Sequence, residues 1–180
     1  MANRPKRPYR KAYLNDFQMD VSGNYVYTGK CYAFCGDDGA RKKHLACCVF
    51  LEALALFAAI FPECLSPMAL SQNAFYLVPW LLQLVFVLLA GWSLLRLSFH
   101  ATELRAYVYE ATVKKLPRRA LTASIASALA FCFAIGTMLI LGSYQNLFAL
   151  WARLMAPLFA AVSSFFLFIV AKRGKWEEKT

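Results

Sequence analysis

Lysine and arginine are absent from the whole stretch between Lys43 and Arg96, and between Arg119 and Lys172 only Arg153 interrupts a second such gap. Acid is scarcer than base, with 10 Asp and Glu against 20 Lys and Arg, and there are 2 histidines. The chain contains no H-E-x-x-H, no G-x-S-x-G elbow and no glycine loop of the kind that cradles phosphate. These absences leave zinc-protease, serine-hydrolase and nucleotide-binding chemistry without a residue set. No cofactor is expected. An early apolar core with a small-residue cleavage site is also missing, so the first apolar run is expected to act as its own insertion signal. Six cysteines are scattered along the chain rather than spaced as a disulfide framework.

What the chain has instead is hydrocarbon. It is 60% hydrophobic over 180 residues, with a mean hydropathy of +0.46. Soluble domains reach ~45–50% on a count that also includes glycine. The excess is gathered into four runs, about 45–61, 75–95, 120–142 and 147–171, each of a length and polarity suited to a bilayer-spanning helix. The expected fold is an all-α membrane protein, a four-transmembrane-helix bundle. Residues 1–44 form a cytosolic N-terminal region, 45–171 the bundle, and 172–180 a cytosolic tail. Nine Lys/Arg precede residue 45, six lie from Arg96 to Arg119, and four follow residue 171. The positive-inside bias then places both termini in the cytoplasm, with a bacterial cytoplasmic membrane as the setting. This charge suits the lipid bilayer and its anionic headgroups, and no nucleic acid is expected as a partner.

Within the N-terminal region, residues 1–12 read as a basic tail. Residues 13–35 are rich in aromatics, and Ser22-Gly23-Asn24 is a turn signal, so a short β-hairpin or other ordered aromatic segment is expected there. Tyr25, Tyr27 and Tyr32 are its candidate partner-binding residues. Gly36–Gly39 reads as a loop, Arg41–Lys43 mark the membrane surface, and Pro62 ends the first span. Leu97, Ala101, Leu104, Val108 and Ala111 recur at helical spacing, so the second span is expected to continue as a cytosolic helix over 96–116, ended by Pro117. Arg118 and Arg119 anchor the third span at the headgroups. The small residues of that span predict that it is the most buried of the four. A short turn at Ser143–Gln145 makes spans three and four a hairpin, and Pro157 is expected to kink the fourth. Tyr76, Trp80, Trp92, Tyr144 and Trp151 fall where interfacial aromatics are placed.

The sharpest candidate is Glu52, about 10 Å from the inner end of its helix. A carboxylate at that depth costs on the order of 2.5–3.5 kcal/mol. It is expected to face the bundle interior near Ser124, Ser127, Ser163 and Ser164, which lie at similar depth. Arg153 is expected to snorkel to the outer headgroups, with an anionic ligand or Glu63 as the other possible contact. Gln83 is a candidate interhelical hydrogen-bond partner. Cys31, Cys35, His44 and Cys47 match no standard zinc spacing, so no metal is expected. His100 and Glu103 read as a surface pair.

Three functions are compatible with this pattern. The first is a non-catalytic subunit or adaptor of a membrane complex, binding a membrane-protein partner. The second is a small proton- or cation-coupled transporter working as a homo-oligomer, with Glu52 as the coupling site. In outline, four spans with a glutamate in the first resemble the small multidrug exporters, though the long N-terminal region, the long connection between spans two and three and the charge bias depart from that pattern. The third is a membrane enzyme acting on lipid or isoprenoid substrates. The bundle offers it no paired carboxylates or histidines.

Overall fold

A computed structural model describes residues 17–20, 22–65, 72–99, 103–141 and 147–179. The basic tail 1–12, His100, Tyr144 and the turn Ser143–Gln145 lie outside the described residues.

Among the described residues, four helices are long and apolar enough to cross a membrane. They are α1 (Asp38–Ile60), α2 (Ala74–Ser98), α4 (Leu116–Leu141) and α5 (Leu147–Arg173). They close into a ring in which α1 packs on α2, α2 on α4, α4 on α5 and α5 on α1. The interior is layered along the bundle axis. Cys48, Leu94, Leu116, Ala120, Leu167 and Ala171 form one layer, Ala55, Val87 and Ala123 the next, and Tyr76, Ala134, Leu150 and Leu154 the last. Alanine at so many contact positions lets the backbones approach closely, which is how helices associate where lipid removes the hydrophobic drive. The fourth spanning helix is the most buried, with 44% of its apolar window covered against 33% for the third, contrary to the expectation from small residues alone. Ala149, Ala156, Ala160, Ala161 and Ala171 give α5 a small-residue face as long as that of α4.

At one end of the bundle sits a small β cap. Strands β1 (Phe17–Met19) and β2 (Tyr25–Tyr27) pair antiparallel, with Gly23 at φ 81° in the connection. Strand β3 (Cys31–Phe34) is the centre of a second sheet. It pairs antiparallel with β4 (Glu103–Arg105) on one edge and β5 (Trp176–Lys179) on the other. The N-terminal segment, the connection between the second and third spanning helices and the C-terminal segment therefore meet in one sheet. Strand alternation sorts the faces. Tyr32, Leu104 and Trp176 turn into a cluster with Leu97, Val108, Leu45 and Tyr109, and Tyr32 stacks on Tyr109 at 4.2 Å. Two ion pairs border it: Lys179 with Glu103 at 2.5 Å on the opposite face of the sheet, and Lys30 with Glu178 at 2.7 Å at the edge of the cluster's own face, where Glu178 stands opposite Tyr32. The hydrogen bond and the charge of each glutamate raise its lysine above the usual 10.5. A raised lysine stabilises the fold below its unfolded value and loses that contribution as pH rises through the folded one, so both pairs persist at neutral pH.

Several boundaries differ from expectation. Helix α1 begins at Asp38, within the stretch read as a loop. The Asp37 side chain accepts from the Ala40 N–H at 2.9 Å and so caps the first turn. Arg41–Lys43 thus lie on helix. The second span does not run on through 96–116. It ends at Ser98, where the Phe99 N–H bonds the Leu95 and Leu97 carbonyls and Ser98 Oγ bonds that of Leu94. The chain then forms β4 and a short helix α3 (Ala106–Ala111). The apolar set Leu97, Leu104 and Val108 is buried as its spacing suggests, but across a strand and a turn, because the open edge of β3 offers backbone partners that a straight helix would leave unpaired. Pro117 opens a helix rather than closing one. It sits in the first turn of α4, where its missing N–H costs no bond. Residues 176–179 are not a free tail but the strand β5.

The α5–β5 turn crosses His44 closely. A Cβ at Gly174 would lie 2.8 Å from His44 Nε2, and the His44 ring is backed by Phe34 at 5.4 Å. Gly174→Ala is expected to cost about 1–3 kcal/mol and to speed amide exchange in Trp176–Lys179. His44→Ala in the same chain should restore most of the loss. Unchanged exchange in the single variant would contradict this packing.

Candidate functional site

Among the described residues, two charged side chains are buried among the spanning helices, and they are treated differently. Arg153 on α5 is 1% exposed. Its Nε lies 3.7 Å from Glu63 Oε1, and the same oxygen accepts from the Tyr76 hydroxyl at 2.5 Å. Glu63 stands on the 3-10 turn Phe61–Cys64 that follows α1, and Tyr76 is in the first turns of α2. Trp80 Nε1 donates to the Ala59 carbonyl at 2.9 Å and ties α2 to the end of α1. The far end of the ring is thus closed by a guanidinium, a carboxylate and a phenol from three elements. The expected snorkelling of Arg153 does not occur, because a countercharge is already within reach inside the protein. Tyr76, expected at the interface, is buried in the same cluster.

Glu52 is 4% exposed, on the α1 stripe that also buries Cys48 and Ala55. Its carboxylate lies against the α2 backbone at Gly91, where a Cβ would stand 3.1 Å from Oε1. Neither oxygen makes a hydrogen bond of ordinary geometry, and the carboxylate's polar contact among the described residues is a weak one with the Gly91 backbone. The serines proposed at its level go different ways. Ser124 Oγ donates to the Ala161 carbonyl at 2.9 Å, across the α4–α5 seam. Ser163 lines an apolar groove between α1 and α5. Ser127 and Ser164 are buried, and with Gln83 they have polar atoms lacking a hydrogen-bond partner among the described residues. The structure gives no hydrogen bond from any of these groups to Glu52.

The α1–α2 side of Glu52 opens into a groove of about 400 Å³. Gly91 is the residue that sequence reasoning missed. It is the single glycine of the second apolar run, seven residues before the last residue of α2, and that depth matches Glu52. Arg119 also departs from its role as a headgroup anchor. Its Nη1 donates to the Leu89 carbonyl at 3.3 Å and to Ser93 Oγ, joining α4 to α2.

In the cap, the three tyrosines separate. Tyr27 is held by the fold: its hydroxyl donates to the Lys30 carbonyl at 3.1 Å and accepts from the Ala106 N–H at 3.2 Å. Arg105 lies over the rings of Tyr27 and Phe17, at 5.2 and 5.8 Å, and pins the hairpin to β4. Tyr32 stacks on Tyr109. Tyr25 is 73% exposed, with Met19 paired opposite it and Val26 exposed beside it. The thiol nearest His44 is Cys48, at 3.9 Å, and no three metal-ligating side chains converge among the described residues. Compared with protein-family models, curated proteins and solved structures, the chain matches none.

The far-end cluster is unequal in what its loss leaves behind. A guanidinium keeps its charge wherever it is buried. Glu63→Gln strips the buried Arg153 of this countercharge and should cost about 3 kcal/mol or more. Arg153→Met leaves Glu63, 19% exposed, still hydrogen-bonded to Tyr76 and able to take up a proton, and should cost less. Detergent titration of both variants reads the order, and the reverse order would contradict this account.

Proposed function

We propose that this chain is a multi-pass membrane protein with both termini in the cytoplasm, working as a non-catalytic subunit or adaptor of a membrane complex. The observation that carries the reading is the cap. Three separate chain segments are committed to one sheet, and that sheet holds out a hairpin whose outer residues, Met19, Tyr25 and Val26, are exposed. A two-stranded hairpin is marginal alone. Anchoring it through Arg105 and Tyr27 while leaving Tyr25 outward suits a contact surface for another protein. The basic residues crowd the cap end, which supports a cytoplasmic cap.

Under this reading Tyr25→Ala, with Met19→Ala, removes the chain from its complex on a native gel without lowering its thermal midpoint, and a fluorescent reporter fused at the C-terminus folds and glows. Retained assembly would sink the hairpin as the contact surface, a wild-type chain found in no complex would sink the subunit assignment, and a dark fusion would sink the orientation.

One observation favours a second reading, the coupled transporter: the Glu52 carboxylate is buried beside an open groove with no countercharge among the described residues. The two readings divide on Glu52→Gln in reconstituted vesicles. The subunit reading expects proton flux equal to that of the wild type, whereas transport requires its loss with expression intact.

A further inference from the structure

The α1–α2 groove joins two features, a helix-shaped apolar surface and a buried carboxylate with no countercharge beside it among the described residues. Along α1 the groove is edged by Val49, Ala53 and Leu56, and along α2 by Leu88, Trp92 and Leu95. These positions recur every three or four residues, so the edges are two helical ridges running side by side. At the level of Glu52 the small residues Ala53 and Gly91 keep bulk out of the groove, which is the composition that lets a third backbone come close. Val49, Leu88, Trp92 and Leu95 are exposed, and α1 and α2 share a shorter seam than the other neighbouring pairs of the ring.

We infer that this groove receives a transmembrane helix of a partner protein bearing a lysine or arginine, which pairs with Glu52. The inference rests on the subunit reading and names the partner's chemistry. Charge complementarity selects the occupant. A carboxylate about 21 Å along α1 from its start at Asp38, level with Gly91, is stabilised by a basic side chain brought in at the same depth, since intramembrane charges pair with one another. Lipid tails carry no charge, and a headgroup amine lies above that level. A second copy of the chain does not fit. Among the described spanning residues, Arg153 is buried beside Glu63 and the other basic side chains lie toward the cap end, so two copies meeting here would face Glu52 with Glu52. The length of the ridges favours a helix over a compact cation.

The test uses the full chain in phosphatidylcholine vesicles, with p-benzoylphenylalanine in place of Leu88. The probe is a synthetic transmembrane peptide of about 20 residues, apolar except for one lysine at the depth of Glu52; its control carries leucine there. Photo-crosslinking to the lysine peptide is expected to exceed that to the control about tenfold, the scale of one interhelical polar contact. Glu52→Gln should reduce it to the control level. Ala53→Phe, which fills the groove and leaves Glu52 in place, should do the same, so loss does not depend on one variant's folding. Equal yields for the two peptides, or a lysine preference that survives Glu52→Gln, would overturn the inference. So would a crosslinked product of two chains without peptide, which gives the groove to a second copy. Tetraphenylphosphonium retained by the wild type but not by Glu52→Gln, with equal peptide yields, gives it to a small cation and also overturns it. A native complex that depends on the hairpin while the vesicles show no lysine preference ends this inference and spares the subunit reading. The opposite pair of results does the reverse.

Discussion

A charge held among apolar helices must find a partner there, and this bundle is arranged around two solutions to that problem. At the far end, the buried Arg153 meets Glu63, and Tyr76 hydrogen-bonds the same carboxylate, so elements following α1, opening α2 and within α5 are held in one cluster. Toward the cap end, Glu52 is buried just as fully with no such answer among the described residues. The first arrangement fixes how the ring closes. The second leaves one side of the ring, the α1–α2 seam, with a polar demand that another chain can meet. Alanine fills many of the remaining buried positions beside leucine and valine, which sets close distances but carries little specificity, so the few polar groups have a large share in deciding register.

The cap follows from a different constraint, that backbone groups of a strand need partners on both edges. β3 supplies a centre, and the chain spends a stretch of the α2–α4 connection and its C-terminal residues on satisfying it. Once β4 and β5 are in place, Leu104 and Trp176 cover the ends of the spanning helices through Leu97 and Leu45. The sheet thereby couples the positions of α1, α2 and α5 at the cap end, as the arginine cluster does at the other. The hairpin β1–β2 is attached to this frame by Arg105 and Tyr27 and contributes least to it.

Much of this was legible in the residues. Four apolar runs separated by turn and charge signals mark the spanning helices, and a lone glutamate in one of them marks the candidate site. The errors share a physical origin. Leu97, Leu104 and Val108 keep helical spacing, yet the free edge of β3, seventy residues earlier in the chain, takes Leu104 into a strand; a periodicity cannot register a distant backbone partner. Pro117 stops a helix or starts one according to which turn it occupies, and Arg153 snorkels or stays in according to whether Glu63 folds back toward it. Both depend on tertiary neighbours. Depth along a helix put Ser124, Ser127, Ser163 and Ser164 at the level of Glu52, but depth says nothing of azimuth, and Ser124 and Ser163 point into other seams. Gly91 could have been read, since a single small residue at matching depth on the adjacent span is where a carboxylate has room.

The central claim is that this bundle is one part of a larger membrane assembly. Native mass spectrometry of the chain extracted from its own membrane in a mild detergent tests that most directly. The account predicts a stoichiometric complex with a different membrane protein, whose sequence carries a lysine or arginine within an apolar span. A chain that emerges alone, or only with copies of itself, would contradict it.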